Sequence, residues 1–357
     1  MSQSKIPPSR TGSDPSTGSF PKIDVHALGT GTKQVRSLPG SHRSGLAIVG
    51  ALLLLALLAP VLAPFDPSEQ LDPGTGAGRP PLTRLQVVET VDGDRVEQRL
   101  AESTELVGNK LVLKQRHGRL ELDAEDSKVV GERRYLLGTD RLGRDIFSRI
   151  LYGARISLSI GLVAALLAIA LGILAGAVAA LGGRFLDGLV MRFVDGLLAL
   201  PTILLVLIIA AFFEPSSLVL ILLIGCTGWM TLSRLVRAEL LSLREREFVV
   251  AGRALGLSTP RLFVRHLLPN AISPIVATAG LLVGDAVLLE SSLSFLGLGV
   301  SSELPSWGRM IANGRDDLRT LWWISTFPGL AIAVTVLAFA LLGDGLRDLL
   351  DPNRRTP

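Results

Sequence analysis

Residues 156–181 read ISLSIGLVAALLAIALGILAGAVAAL, a run without a single charged side chain. A helix rises about 1.5 Å per residue, so about 20 apolar residues cross a hydrocarbon layer about 30 Å thick. This run is long enough to do so. Inside it, Gly172 and Gly176 have the GxxxG spacing that lets two helix backbones approach in a solvent where lipid supplies no hydrophobic drive between helices. Moving outward, the same length test finds further runs at 45–63, 194–213, 218–235, 272–293 and 324–342. Gly280 and Gly284 repeat the GxxxG spacing in the fifth run. Pro201 is expected to kink the third, because it removes one backbone hydrogen bond. The expected fold is an all-α polytopic membrane bundle of six spans. That agrees with 48% hydrophobic and 19% charged residues and a mean hydropathy of +0.45.

The formal net charge is +4, yet the arginines lie beside the apolar runs rather than in an aromatic-interleaved patch, which argues against nucleic acid. Arg234, Arg237, Arg244, Arg246, Arg253, Arg261 and Arg265 crowd the connection between the fourth and fifth runs, so that connection is expected in the cytoplasm with both termini. Lys33, Arg36 and Arg43 before the first run agree, as do Arg184 and Arg192 after the second and Arg347, Arg354 and Arg355 after the sixth. Arg141, Arg144, Arg149 and Arg155 fall on the expected outer side. Their loop exceeds the roughly 60 residues over which the charge rule operates, so the other loops decide. The first run follows a polar approach too long for a secretory signal and is expected to be an uncleaved anchor.

Residues 1–44 are rich in Ser, Pro, Gly and Thr and are expected to form a disordered cytoplasmic tail, and 349–357 a cytoplasmic tail at the other end. Gly29-Thr30-Gly31-Thr32-Lys33 fails the spacing of a phosphate-binding loop. Between the first two runs, 64–149 reads as an extracytoplasmic insert with two β-hairpins. Alternating apolar residues at 86–91 and 95–97 flank Asp92-Gly93-Asp94, and those at 110–113 and 120–122 flank His117-Gly118. His117 reads as a turn residue rather than a metal ligand, and the single cysteine, Cys226, as a packing residue that excludes an internal disulfide. The core then spans 150–348, with spans two to six and a cytoplasmic loop at 236–270.

That loop reads as a helical elbow. Glu239, Arg244, Glu245, Arg246 and Glu247 alternate in sign ahead of Phe248, Val249 and Leu255, giving an amphipathic helix. Gly256 stands where a helix end needs a left-handed residue, Thr259-Pro260 reads as an N-cap and first helical proline, and the second helix is expected to end at Pro269. Such an elbow suits docking into a groove on a partner, or lying on the inner leaflet.

Val250-Ala251-Gly252, Gly256 and His266-Leu267-Leu268-Pro269 together resemble the EAA motif of ABC importer permeases. Val250 stands where Glu is usual, Gly252 where the second Ala is, and His266 where Ile is general. Arg265-His266-Leu267-Leu268-Pro269-Asn270 is similar to the RHxLPN ending of the peptide/nickel class. Further motifs resemble the C-type subunit of dipeptide and oligopeptide permeases: Leu137-Gly138-Thr139-Asp140 with Gly143-Arg144-Asp145, the stretches 152–158 and 291–299, Pro305-Ser306-Trp307-Gly308, Phe327-Pro328-Gly329, and 342–348.

The resemblance implies a permease subunit with no catalytic site and no cofactor of its own, forming half of a translocation pathway in the bacterial inner membrane. Its implied partners are a homologous second permease, two ATP-binding subunits that hold the ATP and Mg, an extracytoplasmic binding protein and the bilayer. Val250, Ala251, Gly252, Arg253, Gly256, Arg265, His266, Leu268 and Pro269 would couple to the ATPases.

Asp285 and Glu290 are carboxylates in the fifth run, where charge is costly. They are expected to line the pathway and meet a peptide's amino group. The other reading has Glu290 at the outer interface and Asp285 at helix-end hydrogen bonds. Arg192 and Asp195 are spaced for an ion pair, and Trp307, Trp322 and Trp323 for an outer aromatic belt. An ion-coupled carrier or channel working without ATPases is the alternative function. No HExxH or GxSxG motif supports an intramembrane enzyme.

Overall fold

The computed structural model describes residues 41–92, 95–300 and 304–350. Of the expected tails at 1–44 and 349–357, residues 1–40 and 351–357 lie outside the described residues, as do Gly93 and Asp94 of the first hairpin turn, while 41–44 begin the first helix and 349–350 end the last.

The chain opens with helix α1 (Ser41–Leu57), the short α2 (Ala59–Leu62) and the single turn α3 (Pro73–Gly76). Six strands follow: β1 (Thr83–Asp92), β2 (Arg95–Ala101), β3 (Ser103–Val107), β4 (Lys110–Gln115), β5 (Gly118–Asp123) and β6 (Ser127–Tyr135). Both expected hairpins are present, as β1/β2 and β4/β5, and His117 occupies an exposed turn. Each gains a third strand that spacing did not reveal, giving antiparallel sheets ordered β2-β1-β6 and β3-β4-β5. A bulge between Val87 and Val88 breaks the register of β1 with β6. Leu85 and Val87 pack with Phe65, Leu71, Leu100 and Tyr135, while Val88 packs with Ala101, Leu111 and Leu113. The first sheet is thus apolar on both faces, one toward the chain leaving α2 and one toward the second sheet.

The remaining helices are α4 (Ile146–Leu181), α5 (Gly183–Leu198), α6 (Thr202–Ala210), α7 (Ser217–Arg244), α8 (Glu247–Ala254), α9 (Thr259–Leu262), α10 (Leu268–Phe295), α11 (Trp307–Gly314) and α12 (Trp323–Leu350). Six apolar segments are present among the described residues, but only four of them are single helices long and apolar enough to span. The third run is instead the pair α5 and α6, bent by 83° at the break before Thr202. Pro201 therefore breaks the span rather than kinking it. The first run is short: the 17 residues of α1 rise about 25 Å, less than a full crossing.

Helix α4 begins ten residues earlier than the apolar run predicts, because Asp145 caps it: its carboxylate accepts from the Ser148 amide at 2.7 Å. Two of the four arginines that disagree with the charge rule are committed within the protein here. Arg149 is fully buried and donates to the Pro67 carbonyl at 2.8 Å, and Arg144 pairs with Asp140 at 2.7 Å. Thr139 closes the same clasp, donating to Gly76 O at 2.6 Å and accepting from the Arg79 amide at 2.8 Å, while its own carbonyl receives the Trp323 indole N–H at 3.0 Å. Gly138, at φ +82°, must lack a side chain, since a Cβ there would lie 2.5 Å from Arg79 O. The 137–145 motif thus ties the segment after α2 to the entries of α4 and α12.

Trp323 and Trp307 are buried, the latter donating to Ile150 O at 3.1 Å, so the expected aromatic belt reduces to the exposed Trp322. Cys226 is exposed on α7 rather than packed. Asp195 pairs with Arg234 of α7, not with Arg192, and Asp187 pairs with Arg237 at 2.6 Å, fastening α5 to α7.

Glycines set the closest helix contacts. A Cβ at Gly176 would lie 2.7 Å from Ser233 O on α7, and one at Gly280 would lie 2.6 Å from Phe339 O on α12. Gly176→Leu is expected to cost about 1–3 kcal/mol through overpacking, read as a lowered melting temperature in detergent. Gly188→Leu, where nothing lies within 4 Å, should leave it unchanged.

Asp145 gives a second test. Burial pushes its carboxyl pKa up, only partly opposed by the Ser148 hydroxyl and amide. A carboxyl whose folded pKa lies above its unfolded value stabilises the fold fully only below the unfolded value, and that contribution is lost as pH rises through the folded one. Asp145→Asn keeps the cap oxygen without the titration. Its melting temperature should gain on the unaltered chain as pH is raised from about 4 toward neutrality, and parallel pH profiles would rule the carboxyl out.

Candidate functional site

The elbow is built at the end of the bundle away from the β sheets. Helix α8 closes in a Schellman turn: Leu257 N donates to Gly252 O at 3.1 Å and Gly256 N to Arg253 O at 2.9 Å, with Gly256 at φ +80° as its spacing predicts. The next helix is capped one residue earlier than expected, by Ser258, without a side-chain hydrogen bond. It also does not end at Pro269. A π turn, Phe263–Leu267, joins α9 to α10, so helix runs without interruption from Thr259 to Phe295. Proline has no N–H for the carbonyl of residue 265, and the wider turn placed just before it lets the rod continue. Asn270 adds a side-chain bond beside it, donating its amide to His266 O at 2.7 Å.

One face of the elbow packs on its own bundle. Val249, Leu262 and Leu267 are buried against Ala177, Ala180, Leu232, Val236 and Leu240. Arg244 reaches back to the last turn of α4, donating to Ala180 O at 3.1 Å. Gly252 belongs to this inner face, since a Cβ there would meet Leu262 at 3.1 Å. The other face is open: Phe248, Val250, Leu255 and Val264 are exposed, Leu255 by 83%. Ala251, Arg253, Gly256, Arg265 and Pro269 are exposed beside them, and His266 and Leu268 are half-buried.

The structure separates the two carboxylates of α10. Asp285 is the single charged residue among those lining a cavity of about 530 Å³ between α4, α5, α6, α7 and α10. Thr227, Thr278 and Ser292 also line it, and each hydroxyl donates to a carbonyl of its own helix, at 2.9, 3.0 and 2.8 Å. Their lone pairs and the carboxylate remain for a ligand, a set of acceptors suited to a cation.

Glu290 does not face this cavity, contrary to expectation, nor does it sit at the outer interface. It is fully buried and accepts from Ser294 at 2.8 Å, Ser157 at 3.2 Å and Ser291 at 3.3 Å. Ser157 in turn accepts the Trp307 amide at 3.2 Å, so one carboxyl joins α4, α10 and α11. The polar spacing of Ser291 and Ser294 around Glu290 is visible in sequence. Ser157 is 133 residues away and could not have been placed. No group of His, Cys, Asp or Glu among the described residues could hold a metal ion.

Comparison with known proteins agrees with this geometry. Residues 144–356 match the family described as the binding-protein-dependent transport system inner membrane component, which covers more than half of the chain. The chain belongs to that family, and it is a permease subunit of an ABC importer. Within the family, residues 44–81 match the N-terminal TM domain of oligopeptide transport permease C. The chain is 42% identical over 219 residues to the dipeptide transport system permease protein DppC of Alkalihalophilus pseudofirmus, covering 61% of this chain and 72% of that one. It is 45% identical over 218 residues to a protein of Brucella suis biovar 1 provisionally named a peptide transport system permease, covering 61% and 73%. Among solved structures, a chain of the MetNI methionine ABC transporter in an inward-facing conformation superposes with a TM-score of 0.50 at 16% identity, covering 58% of this chain and 98% of that one, a likeness of fold alone. Neither fold nor family favours a carrier working without ATPases.

Replacing Glu290 by Leu strands three serine hydroxyls, a loss of about 1–3 kcal/mol expected as a lower melting temperature in detergent. Asp285→Asn, at an exposed position, should change stability by less than about 0.5 kcal/mol. Equal melting temperatures for both variants would contradict the separation of roles.

Proposed function

We propose that this permease moves peptides or related small solutes into a bacterial cell, forming half of the pathway beside a homologous second permease. An extracytoplasmic binding protein delivers the substrate, and two ATP-binding subunits, where ATP and Mg reside, drive the cycle from the cytoplasm. The inner membrane holds the chain with the elbow and both termini inside and the β insert outside, placed to meet the binding protein. The names of the dipeptide and peptide permease relatives support the substrate class.

The observation that carries this reading is the two-sided elbow. Its inner face is packed against α4 and α7, while Phe248, Val250, Leu255 and Val264 are left in water with Arg253 and Arg265 around them. An exposed apolar patch rimmed by cations is what a docking surface for another protein requires. Val250 makes this contact apolar where related motifs carry a glutamate. The continuous helix from Thr259 to Phe295 then joins the docked elbow to the wall of the cavity, and Asp285 meets the substrate's ammonium group there.

The test is reconstitution in vesicles. Peptide flux should require the ATPase subunits, ATP and loaded binding protein. Flux through the chain without ATPases would favour a carrier. Val250→Lys should weaken capture of the ATPase subunits about tenfold, an affinity loss of about 1.4 kcal/mol, without lowering the melting temperature of the permease. Gly256→Val, forced to a positive φ, should uncouple ATP hydrolysis from uptake. If both variants carry peptide at the unaltered rate, the elbow is not the coupling element.

A further inference from the structure

One face of α10 is left uncovered by the rest of the chain. Leu281, Asp285, Leu288, Ser292, Phe295 and Leu296 recur at steps of three and four residues and are exposed or half-buried, which on a helix makes a single strip. Three cavities follow this strip and share its residues. The Asp285 cavity shares Leu288 and Ser292 with an apolar one beside α12, and that one shares Phe295 and Leu296 with a cavity of about 440 Å³ at the end of α10 that adjoins the entry of α4.

The character of this last cavity is cationic. Arg141, Arg144, Arg309 and Arg315 line it, against Asp140 and Asp316. Arg144 is committed to Asp140 at 2.7 Å, Arg141 to Asp317 and to Asp316 at 3.7 Å, and Arg315 to Asp316 at 3.4 Å while lying 5.9 Å from the Phe295 ring. Arg309 is half-buried and has no ion pair or side-chain hydrogen bond among the described residues. A half-buried guanidinium without an acceptor, beside further guanidiniums in an open cavity, is a site for one carboxylate.

We propose that the Arg309 cavity binds the C-terminal carboxylate of a peptide entering amino end first, with Asp285 receiving the ammonium deeper on the same strip. This rests on the permease reading above. From Asp285 to Leu296 the helix rises about 16 Å, the length of about five extended residues. The arginine end adjoins the segment after the β sheets, which is the outer end in that reading, so the charge order along the strip gives the path a polarity. A peptide presented with its carboxylate leading would meet Asp285 with like charge.

The test uses the full importer, with its ATPase subunits, in vesicles, and this chain with Cys226→Ala and a reporter thiol from Leu296→Cys. The rate at which an external cationic thiol reagent modifies this chain is read by gel shift. Pentaalanine should slow the reaction, its C-terminal amide should not, and N-acetylated pentaalanine should still protect. With the reporter moved to Leu288→Cys, the acetylated peptide should lose protection and free pentaalanine keep it.

Arg309→Gln should weaken protection about tenfold, the loss of one charge-assisted hydrogen bond of about 1.4 kcal/mol, and Arg309→Lys should restore part of it. Equal protection by the amide, or protection that survives Arg309→Gln, overturns the site. Protection by peptide-free binding protein would assign the carboxylate to an acidic side chain of that protein and overturn it too. An unreactive Leu296→Cys would make the strip a seam between subunits and end the proposal. ATP-driven uptake by the unaltered importer is read in the same vesicles. Uptake without protection removes only this site, whereas no ATP-dependent uptake of pentaalanine removes the proposed peptide-import reading itself.

Discussion

Helices in hydrocarbon gain nothing from hiding apolar side chains from one another, so the bundle depends on how closely their backbones can approach. Here the approach is made through glycine notches. Gly172 and Gly176 admit α7 to the surface of α4, Gly280 admits α12 to α10, and Gly45 admits α12 to α1, where a Cβ would lie 2.6 Å from Leu342 N. Everything functional hangs from these contacts. The elbow packs on the α4–α7 pair, and the exposed strip of α10 exists because α12 is seated on its other side. At the end near the sheets, where water is present, the fastening changes from notches to a buried polar clasp of Thr139, Asp140, Arg144 and Arg149.

Much of this was legible in the residues, for identifiable reasons. The turn chemistry at His117-Gly118 and the left-handed demand at Gly256 are local signals, and each reappears in the structure where its spacing placed it. Other features depend on partners far along the chain. Strand β6 carries Lys128, Glu132, Arg133 and Arg134 and is mostly exposed, so it shows little apolar alternation and is recognisable only by its pairing with β1. Asp195 and Arg192 have a plausible ion-pair spacing, yet Arg234 lies closer in space because α5 packs against α7. The tryptophans misled for a related reason: an indole near a helix end suits a membrane interface, but Trp307 and Trp323 found carbonyl partners inside the protein.

The candidate site shows the same division. The residues of the elbow motif could be named from sequence, but not which of them face out. The structure turns Gly252 inward and leaves Val250 and Ala251 in solvent. The carboxylates of α10 differ in a way that no local pattern encodes. Asp285 meets a cavity walled by four other helices, whereas Glu290, five residues on and thus near the opposite side of the helix, is enclosed by serines. The helical period separates them, and only the positions of α4 and α11 decide which is buried.

The π turn before Pro269 has a mechanical meaning. Because helix continues from Thr259 to Phe295 through the internal Pro274, its 37 residues measure about 55 Å along the axis, from the elbow to the arginine end. A rotation of about 5° at its base sweeps the tip by about 5 Å, more than the reach of a hydrogen bond. Under the proposed coupling role, a helix of this length would carry a small rocking at the elbow to the arginine end as a larger displacement, with no signal passed residue by residue between them.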